Sequence, residues 1–203
     1  MYKLYGRRGS GSVGPHMVLE ELGVDYAFVH LEREEMKAPA YLELNPLGTV
    51  PVLMLENGTP MLESAAMIVH LTAAHASALA PRPGSVEHAR FLQWMVYLSA
   101  NVYEAYLRCS YSDRYSTGGA THAGAIKAKA EADLIRHFTV IEGGLDPYLL
   151  GASVSAADHY LHMLATWWVP APSELYRRFP KLGALATAIE ARPAVQRVLA
   201  ANS

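Results

Sequence analysis

The sequence predicts a two-part protein, an α/β layer followed by an all-helical domain. Three observations carry that prediction. Strand-like and helical patterns alternate through residues 1–78. Pro81-Arg82-Pro83-Gly84 then interrupts the pattern. Beyond it the chain is alanine-rich, with helical spacing and no strand pattern. The expected division is an α/β domain over 1–78, a linker over 79–85 and a helical domain over 86–203. With 51% hydrophobic and 18% charged residues among 203, the composition is that of a globular chain able to bury a core.

Taken in order, Lys3-Leu4-Tyr5 reads as a first strand, and Gly6 to Gly14 as a loop rich in glycine, serine and arginine. Met17, Val18, Leu19 and Leu22 have helical spacing, and Gly23 stands where a helix C-cap glycine belongs. Tyr26 to His30 is a second strand, so the opening is βαβ, which favours a parallel pair. Ala38 to Leu44 is weakly helical and stops at Asn45-Pro46. Val52 to Leu55 and Pro60 to Leu62 form a hairpin around Asn57-Gly58, a strong turn signal. A helix from Ser64 to about His75 closes the unit. The order βαβ-α-ββα is that of a thioredoxin-like layer.

In the second part, a long helix is predicted from Ser85 to about Cys109, followed by a break over Tyr111 to Gly119. A second long helix runs from about His122 to Glu142 and is closed by Gly143-Gly144. Ser155-Ala156-Ala157-Asp158 is a capping-box start to an apolar helix reaching Trp168, ended by Pro170 and Pro172. Two shorter helices follow, over Leu182–Ala191 and Ala194–Ala201.

Charge excludes some functions. The net charge is −2; residues 1–78 carry 5 basic and 9 acidic groups, and residues 79–203 carry 12 and 10, so neither half is a polybasic surface for nucleic acid. The single cysteine, Cys109, rules out an intrachain disulfide framework and suits a reducing compartment. Tyr2-Lys3-Leu4-Tyr5 enters a strand directly, without a signal-peptide apolar core. No run approaches the ~18 apolar residues of a membrane span. The expectation is a soluble cytoplasmic protein, and the histidines show no metal-ligand spacing, so no metal is expected.

The informative stretch is Asn45-Pro46-Leu47-Gly48-Thr49-Val50-Pro51-Val52-Leu53. Pro51 cannot donate to a sheet ladder, so it belongs at a strand entrance. A cis Val50-Pro51 bond would turn the Val50 N–H and C=O outward as a free edge for an extended peptide. Glu63-Ser64 then opens an apolar helical run, so free N–H groups and a hydroxyl meet at one spot suited to a carboxylate. A peptide edge beside an anion-binding helix start implies a small peptide with a free carboxylate.

Asn-Pro-x-Gly-x-Val-Pro-x-Leu followed by Glu-Ser-x-Ala resembles the glutathione-binding half of the cytosolic glutathione S-transferases, and length and domain order fit that family throughout. The resemblance implies glutathione as co-substrate. Its binding residues would be Lys37, Thr49, Val50, Pro51, Glu63 and Ser64. Val50 would pair its backbone with the cysteinyl unit, Glu63 would take the γ-glutamyl ammonium and Ser64 its carboxylate. Lys37 lies in the segment that reaches the glycyl carboxylate in relatives, with Arg33 equally available there. Gly9 to His16 resembles the bacterial beta-class run Gly-x-Cys-Ser-x-x-Pro-His, with Gly11 standing where that class has cysteine. Counted back from Gly23, Ser10 falls nearer the serine of theta- and zeta-like members, so the candidate thiolate stabilisers are Ser10 and then Ser12. The resemblance also implies a second-substrate pocket for an apolar electrophile, with Tyr103, Tyr106, Tyr111 and Trp167 as candidates, and a homodimer acting in detoxification. A capping box like that of Ser155 and Asp158 serves folding in the family. Two other outcomes remain open: a non-catalytic binding or assembly module of the same fold, and a glutathione-dependent isomerase or peroxidase.

Overall fold

The computed structural model describes residues 1–202. They form two compact units, one of residues 1–83 with 187–202 and the other of residues 84–186.

The first unit is built on a four-stranded sheet ordered β2-β1-β3-β4, with β1 at Tyr2–Gly6, β2 at Tyr26–His30, β3 at Val52–Met54 and β4 at Pro60–Met61. β1 and β2 are parallel, from Tyr2 opposite Tyr26 to Gly6 opposite His30. β3 runs antiparallel to both β1 and β4. The crossover between the parallel strands is α1, Val13–Leu22, which ends on Gly23 at φ 63°, a left-handed conformation that glycine adopts without a Cβ penalty. α2 is a single turn, Pro39–Leu42, and α3 spans Ser64–Ala74. The alternation of a strand gives the sheet two apolar faces. Leu4 and Leu53 are fully buried, as are Met17, Val18 and Leu19 of α1 and Met67, Ile68 and Leu71 of α3. Tyr5, Val29, Val52 and Met54 pack with Leu31, Met36 and Tyr41 on the other face.

By packing, residues 187–202 go with this first unit, although the sequence division assigns everything after 85 to the helical domain. α10, Pro193–Ala201, packs on α1. Arg192 binds Glu21 through two hydrogen bonds, and Arg197 Nε donates to Glu20 at 2.7 Å. Glu20 also accepts from Tyr26, whose oxygen meets His16 Nε2 at 2.8 Å. None of these long-range pairs has a local sequence signature.

The second unit is helical. α4, Val86–Tyr97, passes through a π-helical stretch, Leu98–Tyr103, into α5, Glu104–Ser110. After a 3-10 turn at Ser112–Tyr115, α6 covers Ala120–Gly144. Its end takes in both glycines that were expected to follow it. α7, Ala156–Ala165, is buried along its whole length. Asp158 accepts from Ser155 N and Oγ at 2.7 Å each and from Leu149 N at 2.9 Å, which secures the start of α7. No helix is expected from sequence directly after Pro170 and Pro172, but α8 spans Pro172–Arg178: Pro172 occupies its first turn, where the missing N–H costs nothing. α9 is Pro180–Glu190, and Glu142 accepts from the N–H groups of Lys181 and Leu182 at its start.

Candidate functional site

Sheet register gathers the serine loop, the Val50-Pro51 corner and Glu63-Ser64 at one end of the strands. Tyr5 stands opposite Val52, so the end of β1 and the start of β3 are neighbours. Leu53 stands opposite Met61, so the chain leaving β4 passes beside the same start of β3. The loop after Gly6, the Val50-Pro51 corner and Glu63-Ser64 therefore converge, though sequence separates the first from the last by more than fifty residues.

The Val50-Pro51 peptide bond is cis, as the sequence suggests. Val50 packs its side chain with the cluster around Leu31, Tyr41 and Val52, which leaves its backbone at the margin of the sheet. The approach to that corner is braced by two residues that sequence reasoning did not single out as contributors. Tyr41 Oη and Asn45 Nδ2 both donate to the Thr49 carbonyl at 2.7 Å. Asn45 also donates to Thr49 Oγ1 at 3.0 Å and accepts from Leu47 N at 3.0 Å. Asn45 is 2% exposed, so these bonds satisfy a buried amide. Burial, with Tyr5 close by, pushes the Tyr41 hydroxyl up to about 12, so it is a neutral donor at physiological pH. Asn45-Pro46 was legible as a turn; that its amide reaches forward to Thr49 was not.

Glu63 is the residue just before α3 and has φ 68° and ψ 102°, the one non-glycine residue with positive φ among those described. That conformation costs about 1–3 kcal/mol and recurs at ligand clamps. Its side chain is exposed, while Ser64 is 6% exposed at the first helical position. The first N–H groups of α3 face out of the helix beside them.

Both loop serines turn inward. Ser10 Oγ donates to the Arg7 carbonyl at 2.7 Å and lies 2.9 Å from Ser12 Oγ. Ser12 Oγ is 3.2 Å from the same carbonyl and accepts from Arg7 N at 3.3 Å. Ser12 is fully buried and Ser10 half-buried. Ser12 fits this tightly because residue 6 is glycine: a Cβ there would fall 2.4 Å from Ser12 Oγ. Ser12 stands at the N-cap of α1 but makes no side-chain capping bond.

Lys37 lies on a 3-10 turn, Glu35–Lys37, where its ammonium pairs with Glu34 at 3.0 Å and stays exposed. In the helical unit, Tyr103 meets Trp167 edge-on at 4.9 Å between ring centroids, and Tyr106 meets Trp167 at 5.8 Å. Tyr111 instead lies under the Arg114 guanidinium, 4.4 Å from its ring centre. Three of the four candidate aromatics thus form one cluster, and Tyr111 is placed in another setting. Burial raises the Tyr106 hydroxyl far above its ordinary value. Among the described residues, no three His, Cys, Asp or Glu side chains are grouped to hold a metal ion.

With this geometry in place, the comparisons define the class. Residues 12–74 match the family model for the glutathione S-transferase N-terminal domain, and residues 112–202 match that for the C-terminal domain. The chain belongs to the glutathione S-transferase family. It is 28% identical to the GST-like protein YncG of Escherichia coli, over 100% of this chain and 98% of that protein. A glutathione transferase homologue from Sulfitobacter, solved with bound glutathione, superposes with a TM-score of 0.89 at 25% identity, covering 99% of this chain and 98% of that one. A sphingomonad glutathione S-transferase complexed with glutathione gives 0.81 at 29% identity, with 98% of each chain covered.

Proposed function

We propose that the protein is a glutathione transferase that binds glutathione at the end of the sheet described above and stabilises its thiolate for attack on an apolar electrophile. The observation that carries this reading is the convergence of the Val50-Pro51 corner, the strained Glu63 before α3 and the serine loop after β1. The bound glutathione of two similar solved proteins supports it. In this reading the Val50 backbone pairs with the cysteinyl unit, flanked by Thr49 and Pro51. Ser64 and the α3 N-terminus take the γ-glutamyl carboxylate, and Glu63 takes its ammonium. Lys37 releases Glu34 to take the glycyl carboxylate.

A free cysteine thiol has a pKa of about 8.5, so lowering it by ~2 requires about 2.7 kcal/mol of preference for the anion. A hydroxyl donor to the sulfur supplies roughly 1.5–3 kcal/mol, and a helix N-terminus about 0.3–1 kcal/mol. Ser10, the half-buried member of the pair, is the direct donor. Ser12 takes over the Arg7 carbonyl when Ser10 turns to the sulfur, since both hydroxyls lie within reach of that oxygen. The thiolate then attacks the electrophilic carbon, a C–S bond forms and the leaving group departs with its bonding pair. Tyr103, Tyr106, Tyr111 and Trp167 are the proposed apolar contacts for the electrophile. The protein acts as a cytoplasmic homodimer in detoxification and uses no metal.

The test is retention on immobilised glutathione followed by conjugation assays. Ser10→Ala is expected to lower kcat/KM about 10- to 100-fold, matching the loss of one charge-assisted hydrogen bond, and Ser12→Ala to cost less. A second reading, a glutathione-binding or assembly module, is favoured by one observation: both hydroxyls are engaged on the Arg7 carbonyl. Retention on glutathione without turnover of any electrophile, peroxide or isomerisable substrate would establish that alternative.

A further inference from the structure

We infer that Arg7 is a further site residue, whose guanidinium provides the fixed positive charge that holds the glutathione sulfur as thiolate. The inference rests on the glutathione reading above and deepens it. Arg7 is the first residue after β1, and its own N–H and C=O hold Ser12 and Ser10. It is half-buried, and its Nε is buried with no hydrogen-bond acceptor. No carboxylate pairs with it among the described residues. Arg192 and Arg197 of the same unit behave differently, each neutralised by a glutamate of α1. The segment from Gly6 to Ser12 contains no acidic residue at all. What this guanidinium lacks is an anion.

The serine geometry leaves a matching need. Two hydroxyls share one carbonyl, so Ser10 must give up that bond before it donates to a sulfur, and its hydroxyl alone leaves part of the thiolate stabilisation to another group. An unpaired cation within about 4–6 Å lowers the pKa of an acid by roughly 1–3 pH units, which is the size of effect required. A guanidinium is a donor only and offers no lone pair to take up the thiol proton. The thiol proton therefore leaves to solvent, and Arg7 acts only by stabilising the negative sulfur. Arg8, adjacent and exposed, supplies an internal control of equal formal charge.

The experiment uses the full-length protein with glutathione alone, following the ultraviolet absorbance of the bound thiolate against pH. Calorimetry with S-methylglutathione, which has no ionisable thiol, runs in parallel. Arg7→Gln is expected to raise the apparent pKa of the bound thiol by about one pH unit or more. It should also cut turnover of chlorodinitrobenzene at about pH 6.5 roughly tenfold. Affinity for S-methylglutathione should not change, Arg7→Lys should recover part of the thiol shift and Arg8→Gln should leave it untouched. A wild-type thiol pKa in Arg7→Gln overturns the inference, as does an equal loss of S-methylglutathione binding. Failure of the wild-type protein to bind either ligand would instead remove the glutathione reading itself, and Arg7 with it.

Discussion

Glu63 holds a conformation that an L-residue avoids, and the chain around it shows why the strain is retained. Its carbonyl accepts the Met67 N–H at 2.9 Å, so it starts α3 while its side chain stays exposed. Glu63→Gly should relieve the left-handed strain and stabilise the fold by up to about 1 kcal/mol. In the proposed site the same change removes the partner of the γ-glutamyl ammonium, so retention on glutathione should fall while the urea midpoint rises. Asn45 is the reverse case. Asn45→Ala removes three hydrogen bonds around Thr49 and should destabilise by about 1–3 kcal/mol. Because Tyr41 still holds the Thr49 carbonyl, the corner should loosen without unfolding, and glutathione affinity should weaken more than stability does.

Among the elements, α7 depends most visibly on one polar residue. Asp158 is fully buried, and burial raises its carboxyl above the ordinary range against the three hydrogen bonds that favour the anion. Asp158→Ala leaves the Leu149 and Ser155 N–H groups without an acceptor. The expected cost is about 3 kcal/mol or more, seen as a lower urea midpoint with an unchanged slope. The helix this residue starts is buried along its length, so the loss should be felt as unfolding of the helical unit rather than fraying. The π-helical stretch and α8 teach a different lesson about elements. Periodicity saw one continuous helix from 85 to 109, and prolines at 170 and 172 looked like a terminator. Local pattern cannot distinguish a proline that ends one helix from a proline that begins the next.

For the whole molecule, pH exposes the link between the chain's two ends. His16 is 4% exposed, stacked on Phe28 at 4.4 Å and hydrogen-bonded to Tyr26, which donates in turn to Glu20, with Asn202 near its other nitrogen. Burial pulls it down to about 4, against the opposing pull of Glu20. The unfolded chain therefore binds the proton first. Stability contributed by the neutral ring is complete above about pH 6.5 and is lost as pH falls towards 4. The loss should be about 3 kcal/mol across that window. Glu20, whose carboxyl is lowered chiefly by the Tyr26 hydrogen bond, adds a loss of the same sign at lower pH. His16→Gln should flatten the profile between about pH 6.5 and 4, measured by denaturant titration at fixed ionic strength. Light scattering at micromolar concentration tests the proposed homodimer; a monomeric mass would refute it.

The succession of strands and helices along the first unit, the turn at Asn57-Gly58, the glycine stop at Gly23 and the Val50-Pro51 and Glu63-Ser64 motifs were all readable because each depends on neighbours a few residues away. So was the family, since those motifs keep fixed spacing. The inward turn of Ser10 and Ser12 was not readable, because it follows from the space left by Gly6 after α1 has packed. Nor were the Asn45 and Tyr41 brace, the unpaired Arg7 or the return of α10 to α1. Local chemistry writes secondary structure and turns into the sequence; which polar groups find partners, and which are left seeking one, is settled only when distant segments are brought together.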